Sequence, residues 1–108
     1  MPRPAPYPTS LPEIAERLRV LRIATSANQT EFCRRVGMTT GAWNNYERGR
    51  ARIGADAAMR LREKLRVPLD WIYFGDDDLL EVMASHEMVQ AIRAVREVDR
   101  APGSTDTE

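Results

Sequence analysis

Scarcity bounds this chain first: it has one cysteine, one histidine and an aromatic fraction of 6% in 108 residues. A lone cysteine, Cys33, cannot close an internal disulfide, which fits a reducing, cytoplasmic setting. His86 has no cysteine or carboxylate at ligand spacing, so a metal site or a catalytic triad lacks its parts, and neither a metal nor a cofactor is expected. The few aromatics argue against a sandwich or barrel. No glycine-rich phosphate loop follows a strand, and no run approaches the ~20 apolar residues of a membrane span. The first ten residues hold four prolines and no apolar run, so no signal peptide is expected. What remains is one small intracellular domain, helical by composition, without the groups of an enzyme and without a membrane partner.

Net charge is also missing, with 16 basic residues against 16 acidic ones. The distribution is uneven. Residues 1–75 carry thirteen Arg and Lys against seven Asp and Glu, and residues 76–108 carry three against nine. A basic body with an acidic tail is the asymmetry of a domain that meets phosphate and bears a separate C-terminal segment. A tail that only keeps the chain soluble is the alternative.

The stretch that organises the chain runs from Gln29 to Gly49. Phe32, Cys33 and Val36 share one face of a short helix whose other face carries Glu31, Arg34 and Arg35. Asn28 and Glu31 have capping-box spacing, and Gly37 supplies the left-handed exit. Thr39 then caps a second helix over 39–47. At about 100° per residue, Thr39, Ala42, Trp43 and Tyr46 fall on an inward side, and Thr40, Gly41, Asn44, Asn45 and Arg48 on an outward one. Two brief helices joined at a glycine, the second showing amides and a hydroxyl outward, suit entry into the major groove of double-stranded DNA. Asn44 and Asn45 can both donate to and accept from an adenine edge. Thr40 can touch either base type, and Gly41 lets the backbone come close. Gln29 and its helix N-terminus suit a phosphate. Cys33, on the buried face, reads as a small packing residue.

These residues resemble the phage-repressor and Cro family of helix-turn-helix DNA-binding domains, also called the xenobiotic-response-element family. The likeness rests on Gln29, the small Cys33, Gly37 and the Tyr46-Glu47-Arg48-Gly49 ending, and extends from Ile14 to Asp76 with Leu21-Arg22 and Leu69-Asp70-Trp71-Ile72. Ser26 stands where the family usually has glycine, Ala27 where it has a larger apolar residue, and Gly54 where it often has serine. The resemblance implies an all-α, five-helix lambda-repressor-like domain with an additional C-terminal helical extension. It also implies base reading by Thr40, Gly41, Asn44 and Asn45, and phosphate contacts from Gln29, Thr39, Arg48, Arg50 and Arg52. A structural salt bridge between Arg22 and Glu47 follows from it too, tying the first helix to the recognition helix. The implied function is a transcriptional regulator, a repressor by family habit, that binds an inverted-repeat operator as a homodimer.

The remaining segments complete the organisation. Residues 1–9 alternate proline and read as a disordered arm, from which Arg3 can reach phosphate. Ser10 and Glu13 have capping-box spacing at the start of the first helix, with Pro12 in its first turn. That helix buries Ile14, Leu18 and Leu21 and leaves Arg17 and Arg19 in solvent or near phosphate. A fourth helix over 55–66 buries Ala58, Leu61 and Leu65. Pro68 starts a fifth over 69–74 in which Leu69, Ile72 and Tyr73 close the core, and Trp71 and Phe74 are either a dimer contact or structural. The domain 10–75 ends at Gly75. An extension over 76–100 is expected to be helical from Leu79 to Asp99 with a break near Ser85. Its two apolar patches are Leu79, Val82, Met83 and Met88, Ile92, Val95, with either the domain itself or a second subunit as partner. Residues 101–108 read as a disordered tail. Two other functions stay open: an antitoxin or adaptor whose residues 79–99 bind a protein partner, and a ligand sensor or small enzyme.

Overall fold

Proline in a first turn, and an asparagine, threonine or aspartate just ahead of a helix, set most of the element boundaries. The computed structural model describes residues 8–25 and 28–100, the last two by backbone alone. The arm before Pro8 with its Arg3, the departures at residues 26 and 27, and the tail over 101–108 lie outside the described residues. Seven helices follow one another: α1 (Leu11–Ala24), α2 (Gln29–Val36), α3 (Thr40–Glu47), α4 (Ala55–Leu65), α5 (Leu69–Phe74), α6 (Asp77–Met83) and α7 (His86–Arg100). The fold is all-α, a five-helix domain with two further C-terminal helices, and no strand occurs among the described residues.

The caps show which side chains do the local work. Asn28 Oδ1 accepts from Glu31 N at 2.8 Å, Thr39 Oγ1 from Ala42 N at 3.1 Å, and Asp76 Oδ1 from Leu79 N at 3.0 Å. Each satisfies an amide that a helix start leaves unpaired. Ser85 does the same for α7, accepting from Met88 N at 3.0 Å, which explains the break between the last two helices. Ser10 departs from expectation. It occupies the N-cap position of α1, but its side chain makes no cap bond and its Oγ is buried without a hydrogen-bond partner among the described residues. Tertiary contacts hold the approach to α1 instead: the carbonyls of Pro8 and Thr9 accept from Arg17 and Arg52.

Ile14, Leu18 and Leu21 form the ridge of α1 that the other helices cover. Phe32 and Trp43 join α2 to α3 with ring centroids 4.6 Å apart and planes tilted by 47°, a favourable aromatic arrangement. Ala58, Leu61 and Leu65 come from α4, and Trp71 and Ile72 from α5. The same core continues through Leu80, Ala84, Val89 and Ile92, so α6 and α7 belong to it. The apolar face of α7 therefore has its partner within the chain: it packs on α1. In α6 the buried residue is Leu80, whereas Val82 is 78% exposed. Of the expected patch, Leu79 and Met83 are partly buried and Val82 is not, because α6 turns Leu80, with Ala84 just beyond it, toward the core.

One further expectation is corrected, and one open alternative is resolved. Arg17 does not lie in solvent: it is 6% exposed, and its Nε donates to Ile72 O at 3.0 Å. The last carbonyls of α5 lack intrahelical donors, and a guanidinium reaching across from α1 supplies one. Burial pushes the Arg17 pKa down, with Glu13 opposing that effect. Gly75, with φ of +75°, leaves room for this arginine, since a Cβ there would come within 3.0 Å of Nη1. At the end of the core, Trp71 is structural. It is fully buried, its indole N–H donates to Asp77 Oδ1 at 3.1 Å, and the Arg96 guanidinium stands 5.7 Å from the ring centroid. Phe74 is 61% exposed. No helix among the described residues is long and apolar enough to cross a membrane.

Candidate nucleic-acid interface

Gly37 makes the turn between α2 and α3 in the left-handed conformation, φ 75° and ψ 38°, a conformation that costs an L side chain about 1–2 kcal/mol. Met38 N donates to Cys33 O at 2.9 Å, closing the end of α2. Arg60 of α4 donates to the Gly37 carbonyl, so the turn is held from both sides. Only Trp43 of α3 is fully buried; Ala42 and Tyr46 are partly covered. Thr39, expected to face inward, is exposed because it stands ahead of the helix as its cap. Thr40, Gly41, Asn45 and Arg48 are exposed, and Asn44 is half-buried. A Cβ placed on Gly41 would meet nothing within 4 Å, so a surface can approach the backbone there unhindered.

The orientation of α3 is fixed through one carboxylate. Arg22 Nε donates to Glu47 Oε1 at 2.8 Å and Arg22 Nη2 to Oε2 at 2.7 Å, a forked pair between α1 and α3. Trp43 Nε1, one turn earlier in α3, donates to Oε1 at 2.6 Å. Burial by itself would raise the Glu47 pKa, but hydrogen bonds from Arg22, Trp43 and Gln29, together with the Arg22 charge, hold it below the usual carboxylate range. The bond to Glu47 correspondingly raises the Arg22 pKa. Gln29 is the smallest contributor to that lowering.

The basic residues after α3 divide into two kinds. Arg50 is exposed and makes no side-chain hydrogen bond or ion pair among the described residues. Arg52 donates to Thr9 O, which places it beside the start of α1. Arg48 Nε donates to Asn44 Oδ1 at 3.1 Å. The Trp43–Glu47 and Asn44–Arg48 bonds were not anticipated, although both have the i, i+4 spacing of side chains stacked on one helix face. The Arg60–Gly37 and Arg52–Thr9 bonds left no mark in the sequence.

Cys33 is buried against the core, and burial raises its thiol pKa, which suppresses the thiolate and suits a packing residue. His86 is exposed at the start of α7. Among the described residues, no group of three or more His, Cys, Asp or Glu is placed to hold a metal ion.

Comparison with known proteins bears on the same segment. Residues 13–70 match a family described as a helix-turn-helix domain. Over 63 residues the chain is 35% identical to an uncharacterized transcriptional regulator in the ATPase CF(0) region of Rhodospirillum rubrum. That match covers 58% of this chain and 57% of the relative, so the chain spans little more than half of the relative's length. No solved structure matches the chain.

Proposed function

Because the chain belongs to the helix-turn-helix domain family, we propose that it is a non-enzymatic, sequence-specific DNA-binding regulator of transcription, which lays α3 in the major groove. The observation that carries this reading is the Glu47 cluster. Arg22 and Trp43 clamp α3 through its last helical residue while Thr40, Gly41 and Asn45 remain exposed. A reading helix needs this combination, because a side chain that identifies a base must be both accessible and held in position. Asn45 is the adenine reader: its side-chain amide is exposed and makes no hydrogen bond among the described residues.

Phosphate contacts come from the flanks. The N-terminus of α2 at Gln29 offers free amides and the positive end of the helix dipole. Thr39 gives its hydroxyl hydrogen outward while its oxygen caps α3. Arg50 is the backbone contact of the loop after α3, since Arg52 is bonded to Thr9. An eight-residue reading helix touches few bases, so two copies on an inverted repeat, one helical turn apart, supply the selectivity. The chain acts on this reading as a homodimeric repressor of its own operator or of a mobile-element promoter. The adaptor alternative is less well supported, because the apolar face of α7 that a protein partner would use packs on α1.

Selection from random duplexes at two salt concentrations tests the proposal. Asn45→Ala should relax preference at one base pair and cost about 1–3 kcal/mol, while Arg50→Ala should weaken every sequence alike and lower the salt slope by about 1. Uniform loss in both variants would remove the base-reading role, and no enrichment of any duplex by the unaltered chain would remove the function.

A further inference from the structure

Asn44 and Arg48 form a pair whose chemistry differs from that of either residue alone. Asn44 Oδ1, in the last turn of α3, accepts at 3.1 Å from Nε of Arg48, the residue that caps the end of that helix. A carboxamide has an acceptor oxygen and an NH2 donor, and a guanidinium has five N–H donors. With Nε committed to the Asn44 oxygen, Asn44 Nδ2 and the two terminal nitrogens of Arg48 make no hydrogen bond among the described residues, so donors are in excess at the pair. The partner is also neutral. Arg19, Arg22, Arg34, Arg93 and Arg96 are each paired with a carboxylate. Arg48 is instead held by an amide, which fixes the guanidinium without cancelling its charge. Arg48 caps the C-terminal end of α3, and continuing the helix by its step of about 100° per residue puts it between Asn44 and Asn45, on the side that also holds Thr40 and Gly41.

We propose that Arg48 reads a guanine in each half-site, with Asn44 as its positioning residue. The inference rests on the reading of α3 as the major-groove helix. Guanine presents two acceptors, O6 and N7, side by side in that groove, the edge that a forked donor matches, whereas adenine presents an acceptor and a donor. A phosphate offers acceptors too, but the strands flank the groove, and a side chain between Asn44 and Asn45 meets base edges first. Asn45 and Arg48 thus read different bases from neighbouring positions, and Asn44 serves the second of them rather than an adenine.

The experiment uses the full chain, its selected duplex, and copies of that duplex in which each guanine in turn is 7-deazaguanine, which keeps O6 and lacks the N7 acceptor. One guanine per half-site should be found at which the replacement weakens binding about ten-fold or more. Arg48→Ala should be indifferent to that replacement and accept any base there. Asn44→Ala should lose much of the preference at the same position only. Asn44→Asp, which retains the acceptor, should keep the preference while binding every sequence more weakly through its added negative charge. If Arg48→Ala weakens all duplexes equally and no deaza replacement matters, Arg48 is a phosphate contact and the inference is overturned. A chain that selects a site without an Arg48-dependent guanine overturns this inference alone; one that selects no duplex overturns the major-groove reading beneath it.

Discussion

Glu47 concentrates more of the molecule's geometry than any other side chain, and its acid–base behaviour makes that testable. Burial alone would raise its folded pKa, but the donors from Arg22 and Trp43 favour the charged form and hold the pKa below the usual carboxylate value. A depressed folded pKa means that the unfolded chain binds the proton more tightly. The stabilisation is therefore complete above the unfolded value, near about pH 4.3, and is lost as pH falls through the lower folded value. Urea unfolding of the unaltered chain and of Glu47→Gln should show their stability gap widest near neutrality and shrinking below about pH 4. At pH 7 the removal of one partner from this partly buried pair should cost about 3 kcal/mol, most of it the penalty of leaving Arg22 unpaired. A gap independent of pH would mean that the carboxylate charge is not what holds the cluster.

At the scale of the element, the helix starts separate local from tertiary control. Asn28, Thr39 and Asp76 cap their helices through side-chain oxygens, while Ser10 holds the same position without such a bond. Asn28→Ala should therefore cost about 1 kcal/mol in thermal or denaturant unfolding. Ser10→Ala should be neutral or stabilising, because it removes a buried hydroxyl that has no partner among the described residues. Equal losses from the two substitutions would show that Ser10 does cap α1. The four positions look alike in sequence. What distinguishes Ser10 is that Arg17, further along α1, and Arg52, distant in the chain, hold the two carbonyls that precede it.

For the whole molecule, the feature of most consequence is a core that crosses the boundary expected at Gly75. Leu80, Ala84, Val89 and Ile92 lie in one cluster with Ile14, Leu18, Trp43 and Trp71. The C-terminal helices and the helix-turn-helix should consequently unfold together. Ile92→Ala, at a position 1% exposed, should cost about 2–5 kcal/mol and shift the transition of the entire domain. Indole fluorescence and far-ultraviolet circular dichroism should report the same midpoint. Separate transitions, with α6 and α7 melting first, would show that the segment after Gly75 is an appendage.

The sequence by itself determined the helices and the helix-turn-helix unit. Capping residues, Gly37 and the apolar spacing of Ile14, Leu18, Leu21, Ala58, Leu61 and Leu65 are local signals, and a helix 3.6 residues per turn converts them directly into faces. The same periodicity brought out Trp43 as core and Thr40, Gly41 and Asn45 as surface. Tertiary structure decided the rest. Whether α7 would cover α1 or another molecule, whether Arg17 would meet water or the Ile72 carbonyl, and which of Trp71 and Phe74 would be buried all depended on partners far away in the chain. An amphipathic pattern states that a face must be covered, and a guanidinium that it needs acceptors; neither names the group that will meet the need, because that is set by how the packed helices approach one another.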